Sequence, residues 1–306
     1  MKRYILKIIL FFAIVVVTDI GVGMLGDYLQ THARKGFAKH TNDLVMKDYH
    51  DVVILGSSRA HHHYDTPFLS DTLGLDVYNA GYDGNGVVLA YGLLSMMLER
   101  YSPKLVVFDV EPAFDIYIYD SDNGHKRYLK YLKPYYKNDI ISDIIRDVSE
   151  EEWYKVHSGL IRYNSIFISM ISDNLRSSQD DNDGYLPLTG KYELIAKEKD
   201  ENTELVVDSL KLKYVDKIIM LAQSKKVPIM IIFSPKFGVK SSESLNPIKD
   251  ICKIHEVPCM DYYCDDYFME HSELFREPMH LNSDGARLFS SQISTVIREY
   301  IDKFVY

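Results

Sequence analysis

The sequence predicts an α/β fold: a three-layer sandwich on a mainly parallel sheet, preceded by a transmembrane helix and interrupted by a helical insertion. Three observations carry this. Short apolar runs bounded by Gly, Pro or charged residues recur along the chain, and amphipathic helical patterns separate them. One long apolar stretch stands at the N-terminus.

That stretch comes first. Lys2 and Arg3 precede residues 4–25, which are mostly apolar and broken only by Lys7, Thr18 and Asp19. A run of roughly 20 apolar residues is enough to cross a bilayer. No small-x-small cleavage site follows it, so residues 1–26 read as a membrane anchor or uncleaved signal. Asp19 would cost ~2.5–3.5 kcal/mol at the bilayer centre and less near an end. Lys2, Arg3 and Lys7 favour a cytoplasmic N-terminus over the opposing Arg34, Lys35 and Lys39, which leaves the globular body extracytoplasmic. Residues 27–50 are mixed and polar and suit a stalk leading to a domain at 51–306.

Within that domain, residues 52–55, 77–80, 105–110, 228–233 and 257–260 read as buried strands. Residues 87–101 and 204–224 carry helical spacing, with Leu210, Tyr214, Ile218 and Leu221 on one face of the second. Asn282-Ser283-Asp284 starts a final helix whose inner face holds Ala286, Phe289, Ile293, Val296, Tyr300 and Phe304. Strands alternating with such helices imply a parallel sheet covered on both faces. Residues 113–202 do not fit this alternation. They begin rich in tyrosine, turn helical at 153–175, and pass through the acidic Gln179-Asp180-Asp181-Asn182-Asp183-Gly184. This is the expected insertion, capping the site. Its Tyr117, Tyr119, Tyr128, Tyr131, Tyr135 and Tyr136 suit core packing better than sugar stacking.

Charge and cysteines narrow the class. A net charge of −9 without a basic stripe argues against a nucleic-acid partner. Cys252, Cys259 and Cys264 lack metal-ligand spacing and read as one disulfide plus a thiol, or as three reduced thiols. Gly81-Tyr82-Asp83-Gly84-Asn85-Gly86 is not the Gly-x-Gly-x-x-Gly fingerprint, so no dinucleotide cofactor is expected. His61-His62-His63 are consecutive and cannot all face one site, so no metal is expected, although one of the rings would line the cleft. Arg59 reads as an ordinary surface or sheet-edge ion pair.

The chemistry is concentrated at the two ends of the domain. In Glu277-Pro278-Met279-His280-Leu281-Asn282 a carboxylate stands three residues before a histidine, a spacing that lets one turn supply a general base and the group that orients it. At the other end, Val52-Val53-Ile54-Leu55-Gly56-Ser57-Ser58-Arg59 is an apolar run stopping at a glycine and two serines, where a strand would deliver a nucleophile.

Together these blocks resemble the first and last blocks of the SGNH (GDSL-like) serine hydrolase superfamily. The resemblance covers residues 51–111 and 227–306, and implies a flavodoxin-like layering of the sheet. It implies Ser58 as nucleophile, His280 as base and Glu277 as its orienting acid, with Ser57 where the family has aspartate and Glu277 where it has aspartate. It implies an oxyanion hole from the backbone N–H groups of Ser58 and Gly81. The family's Gly-x-Asn-Asp block is absent; after the third strand the chain reads Asp109-Val110-Glu111-Pro112, and Asn85 is the substitute amide considered. Members with an anchor and an envelope-facing body imply an esterase or O-acyltransferase acting on acylated carbohydrate, chiefly acetyl groups on cell-envelope glycans. The alternative is a non-catalytic envelope binding or assembly protein that keeps the fold.

Overall fold

The computed structural model describes residues 1–118, 125–175, 182–193 and 205–304. Tyr119, Gln179, Asp180, Asp181, Asn202 and Glu204, and the side chain of Phe304, lie outside the described residues. In chain order the elements begin with α1 (Lys2–Thr31), α2 (Gly36–Asn42), β1 (Val52–Gly56), α3 (Ser58–His63), α4 (Thr66–Leu73) and β2 (Val77–Asn79). Next come α5 (Val87–Leu98), β3 (Leu105–Asp109), α6 (Pro112–Asp115), α7 (Asp139–Val148), α8 (Glu150–Lys155), α9 (Gly159–Tyr163) and α10 (Phe167–Leu175). The last set is α11 (Ser209–Ser224), β4 (Ile229–Phe233), α12 (Asn246–Ile254), β5 (Cys259–Asp261), α13 (Asp266–Glu270), β6 (Phe275–Glu277), β7 (His280–Leu281) and α14 (Ser283–Phe304).

The chain divides into two compact units, Leu44–Ser121 with Asp180–Tyr306, and Met1–Asp43 with Asp122–Gln179. The first holds a five-stranded sheet of order β2-β1-β3-β4-β5 among the described residues, every pairing parallel. Side chains alternate across a strand. Val52, Ile54, Val107 and Ile232 therefore face one way, onto Leu69 of α4 and Ala286, Phe289, Ile293 and Ile297 of α14. Val53 and Leu55 face the other way, where α5 and α11 pack together. All five expected strands form. The fifth starts two residues late because Val257 closes the turn after α12, its N–H donating to Cys252 O at 2.9 Å. The three thiols are free.

The other unit is helical. α1 is long and apolar enough to cross a membrane, and its residues from Tyr4 to Val17 are exposed on all sides. The stalk expected at residues 27–50 is instead structured to Lys47: α1 runs on to Thr31, α2 follows, and a π-helical turn spans Asp43–Lys47. Phe37 and Ala38 are buried there, so this polar-looking segment has its own apolar face. The insertion is also narrower than residues 113–202. Its flanks belong to the sheet unit, where Tyr117 bridges to Val207 and Leu186 N donates to His61 O at 3.0 Å. Tyr128 and Tyr135 are buried, as packing requires.

Candidate active site

β1 ends at Gly56 with φ +147°, a conformation other residues rarely adopt. A Cβ there would also lie 2.5 Å from Asp109 O and 2.8 Å from the Ala60 side chain. The chain can therefore turn sharply off the strand, and α3 begins at once with Ser58, 8% exposed. At the far end, β6 and β7 form a two-stranded antiparallel hairpin in which Glu277 and His280 are register partners. Asn282 fixes the hairpin to α14: its side-chain oxygen accepts from the N–H groups of Asp284 and Gly285 at 3.1 and 3.0 Å, and its amide donates to Glu273 O at 2.7 Å.

The two ends meet. Ser58 Oγ lies 2.7 Å from His280 Nε2, and His280 Nδ1 is hydrogen-bonded to Glu277 Oε1. Glu277 Oε2 accepts the Met279 N–H at 2.8 Å, so both carboxylate oxygens are held. Burial disfavours the Glu277 charge, but the His280 and Met279 bonds outweigh it and keep the carboxyl below its usual range. With Glu277 ionised, Nδ1 carries the imidazole proton and Nε2 is free to accept from the Ser58 hydroxyl.

The oxyanion donors fit less completely. The Ser58 N–H, in the first turn of α3, has no intrahelical carbonyl to bond. The Gly81 N–H, expected as the second donor, is instead bonded at 2.9 Å to Asn79 Oδ1. The cause is local: Asn79 folds back on the residue two ahead, and its amide donates to Ala60 O at 2.6 Å, tying the β2 loop to α3. Gly81 is still required, because a Cβ would lie 2.5 Å from His61 N. Asn85 is buried, and its amide donates to Asp83 O at 2.9 Å, which commits one of its two hydrogens.

The three histidines divide. His61 Nδ1 and His62 Nε2 both approach Asp83 Oδ1, at 2.8 and 3.0 Å, and these donor atoms lie within 4.8 Å of one another. His62 also donates from Nδ1 to Leu186 O at 2.7 Å. A carbonyl and a carboxylate can only accept, so a protonated imidazolium would suit both contacts. Burial opposes that charge, yet the bond to Asp83 and its charge raise the His62 pKa above the usual value. The His62 ring stands edge-on to His280 at 5.3 Å.

His63 turns the other way. It accepts the Leu281 N–H at Nε2, 3.0 Å, and meets Ser234 Oγ from Nδ1, also at 3.0 Å. Ser234 is held in turn by Arg59, whose Nη1 donates to Glu111 Oε2 at 2.8 Å. The ion pair expected of Arg59 forms, but fully buried rather than at the surface or a sheet edge. α3 inserts it beneath the carboxyl ends of β3 and β4, where Glu111 and Ser234 wait. Burial works against its charge, but Glu111 and Asp109 hold the guanidinium above its usual range. Sequence reasoning missed Ser234 and the contacts that His63 makes with it. Ser234 directly follows the fourth strand, and the strand-end rule for α/β sheets would have flagged it.

This burial predicts a pH effect. Desolvation, then the Arg59 charge, keeps His63 neutral well below its ordinary range. Below about pH 6.5 the unfolded chain takes up a proton there that the fold refuses, so this contribution is complete above that pH and shrinks as pH falls. The slope approaches ~1.4 kcal/mol per pH unit. His62, raised, contributes in the opposite sense, stabilising at low pH and losing that as pH rises. A His63→Gln variant isolates the first effect: wild-type stability relative to the variant, read by urea unfolding, should fall between pH 7 and pH 5. A flat difference would contradict it.

No family model and no curated protein matches the chain. Among solved structures it is similar to a provisionally named platelet activating factor from Streptococcus pneumonia, at 11% identity and TM-score 0.44, over 92% of this chain and 98% of the other. It is similar also to a provisionally named lipolytic protein of the G-D-S-L family from Desulfitobacterium hafniense, at 11% identity and TM-score 0.37, over 80% and 99%.

Proposed function

We propose that this chain is a membrane-anchored serine esterase or O-acyltransferase acting on ester-linked acyl groups, chiefly acetyl, of cell-envelope glycans, with its globular body outside the cytoplasm. The observation that supports it is the unbroken hydrogen-bonded line from Ser58 through His280 to Glu277, drawn from residues 222 positions apart. In this reading Ser58 Oγ attacks the ester carbonyl while His280 Nε2 takes its proton. The tetrahedral adduct collapses to an acyl-serine as His280 returns that proton to the leaving alcohol. Water or a sugar hydroxyl then attacks the acyl-serine by the same proton route, giving acid or a new ester.

Glu277 holds the ring and balances its charge. Replacing it with glutamine should lower kcat by about 10²-fold at unchanged KM, less than the ~10⁴-fold of a fully buried orienting carboxylate. The Glu277 side chain is 40% exposed, so water takes over part of its role. A kcat within twofold of wild type on p-nitrophenyl acetate would remove Glu277 from the mechanism.

A non-catalytic binding or assembly protein is the second reading, favoured by one observation. The Gly81 N–H is already committed to Asn79, and each missing oxyanion donor typically costs ~2.7–4 kcal/mol in the transition state. A fluorophosphonate probe on the folded full-length chain separates the two: stoichiometric labelling at Ser58 supports the enzyme, and no labelling supports the binding protein.

A further inference from the structure

Hydrocarbon thickness decides how much of α1 lies in the membrane, if it anchors the chain as proposed above. A helix rises 1.5 Å per residue, so Tyr4 to Thr18 spans only about 22 Å against a ~30 Å core. Filling that core takes the helix to about Gly23, which puts Asp19 roughly 6 Å inside the far boundary. A carboxylate at that depth needs protein donors, because water is absent.

It has them. Asp19 accepts from Ser158 Oγ at 2.5 Å and from the Leu160 and Gly159 N–H groups at 2.9 and 3.2 Å. The two backbones touch: a Cβ on Gly159 would lie 2.5 Å from Asp19 O and from Gly23 N. Small residues at such a crossing are what helices in lipid use to approach closely. The two residues after Gly159, Leu160 and Ile161, are 41% and 45% exposed. On α1 itself Ile20, Met24 and Leu25 are also exposed. Among the described residues the Arg162 guanidinium follows one turn on, its Nη2 3.3 Å from where a Cβ on Gly23 would lie, and at Asp27, about 12 Å from Asp19 along the axis, Tyr163 Oη, Lys137 Nζ and Arg162 Nη2 converge at 2.5, 3.1 and 3.2 Å.

We infer that the corner at residues 158–161 is immersed in the lipid beside α1, neutralising the need of Asp19 for water and presenting Leu160 and Ile161 to acyl chains. The insertion is then a second membrane-embedded element. This rests on the anchor reading, and the experiment separates the two.

The test uses the full-length chain with Cys252, Cys259 and Cys264 replaced. Single cysteines at Val15, Leu160, Ile161 or Lys225 carry an environment-sensitive fluorophore in phosphatidylcholine vesicles containing a spin-labelled acyl chain. Labels at Val15, Leu160 and Ile161 should lose most of their fluorescence, while that at Lys225, exposed on the sheet unit, keeps it. Quenching at Val15 with Leu160 and Ile161 as bright as Lys225 overturns the immersed corner and leaves the anchor standing. No quenching at Val15 overturns the anchor itself, and this inference with it.

Discussion

Ser58→Ala is expected to lower kcat for acetyl-ester hydrolysis by about 10⁶-fold, the scale seen when a serine nucleophile is removed. The serine hydroxyl bonds His280 at 2.7 Å, and its loss leaves only a small gap, so the thermal midpoint should stay within about a degree or two. Labelling by a fluorophosphonate should vanish with activity. His280→Ala should cost nearly as much, and the double variant little more, because the two groups act as one unit. Additive losses would mean that they serve separate steps. Full activity in Ser58→Ala would end the acyl-serine mechanism, whatever the geometry of the other two residues.

Why the pair was readable at all is instructive. Glu277 and His280 lie three residues apart, so their relation is local, and a two-residue hairpin turn is enough to make them partners. Ser58 is local in another sense: it follows an apolar run and a glycine that turns at φ +147°, which is how a strand end announces itself. The sheet was legible for the same reason, since strands buried on both faces are continuously apolar. The pattern did not carry what lies across the sheet. Arg59 in sequence is one more basic residue after a serine, and nothing local reveals that Glu111 and Ser234 will close over it. Gly81 shows the converse failure. Its place after β2 suggested a free N–H, but Asn79, two residues earlier, captures that hydrogen by a short-range turn. The stalk misled because composition averages over faces: residues 27–50 are polar overall, while Phe37 and Ala38 share one buried side.

Arg59→Met is expected to destabilise the sheet unit by ~3–5 kcal/mol, since it leaves a buried carboxylate without its counter-charge. Glu111 Oε2 loses a partner at 2.8 Å, and Ser234 loses the guanidinium contacts to its hydroxyl. The Tyr263 ring, 5.1 Å from the guanidinium carbon, loses a cation over its face as well. Lysine should rescue little, because a single ammonium cannot reach both Glu111 and Ser234 in this fork geometry. The informative variant pairs Arg59→Met with Glu111→Leu. Removing both charges removes the uncompensated Glu111, and buried pairs replaced by apolar groups of similar volume are often neutral; Asp109, fully buried, still loses the Arg59 charge, so part of the lost stability should return. The chain has two units, so the unfolding transition that is followed must be assigned to the sheet unit, for instance by amide exchange. Activity should not return with stability. The line of contacts from Arg59 through Ser234 to His63 ends on the Leu281 N–H, the backbone next to His280. A double variant as stable as wild type but slower, at unchanged KM, would assign the buried ion pair to holding the base in line with Ser58. Equal stability with equal kcat would make it a folding element alone.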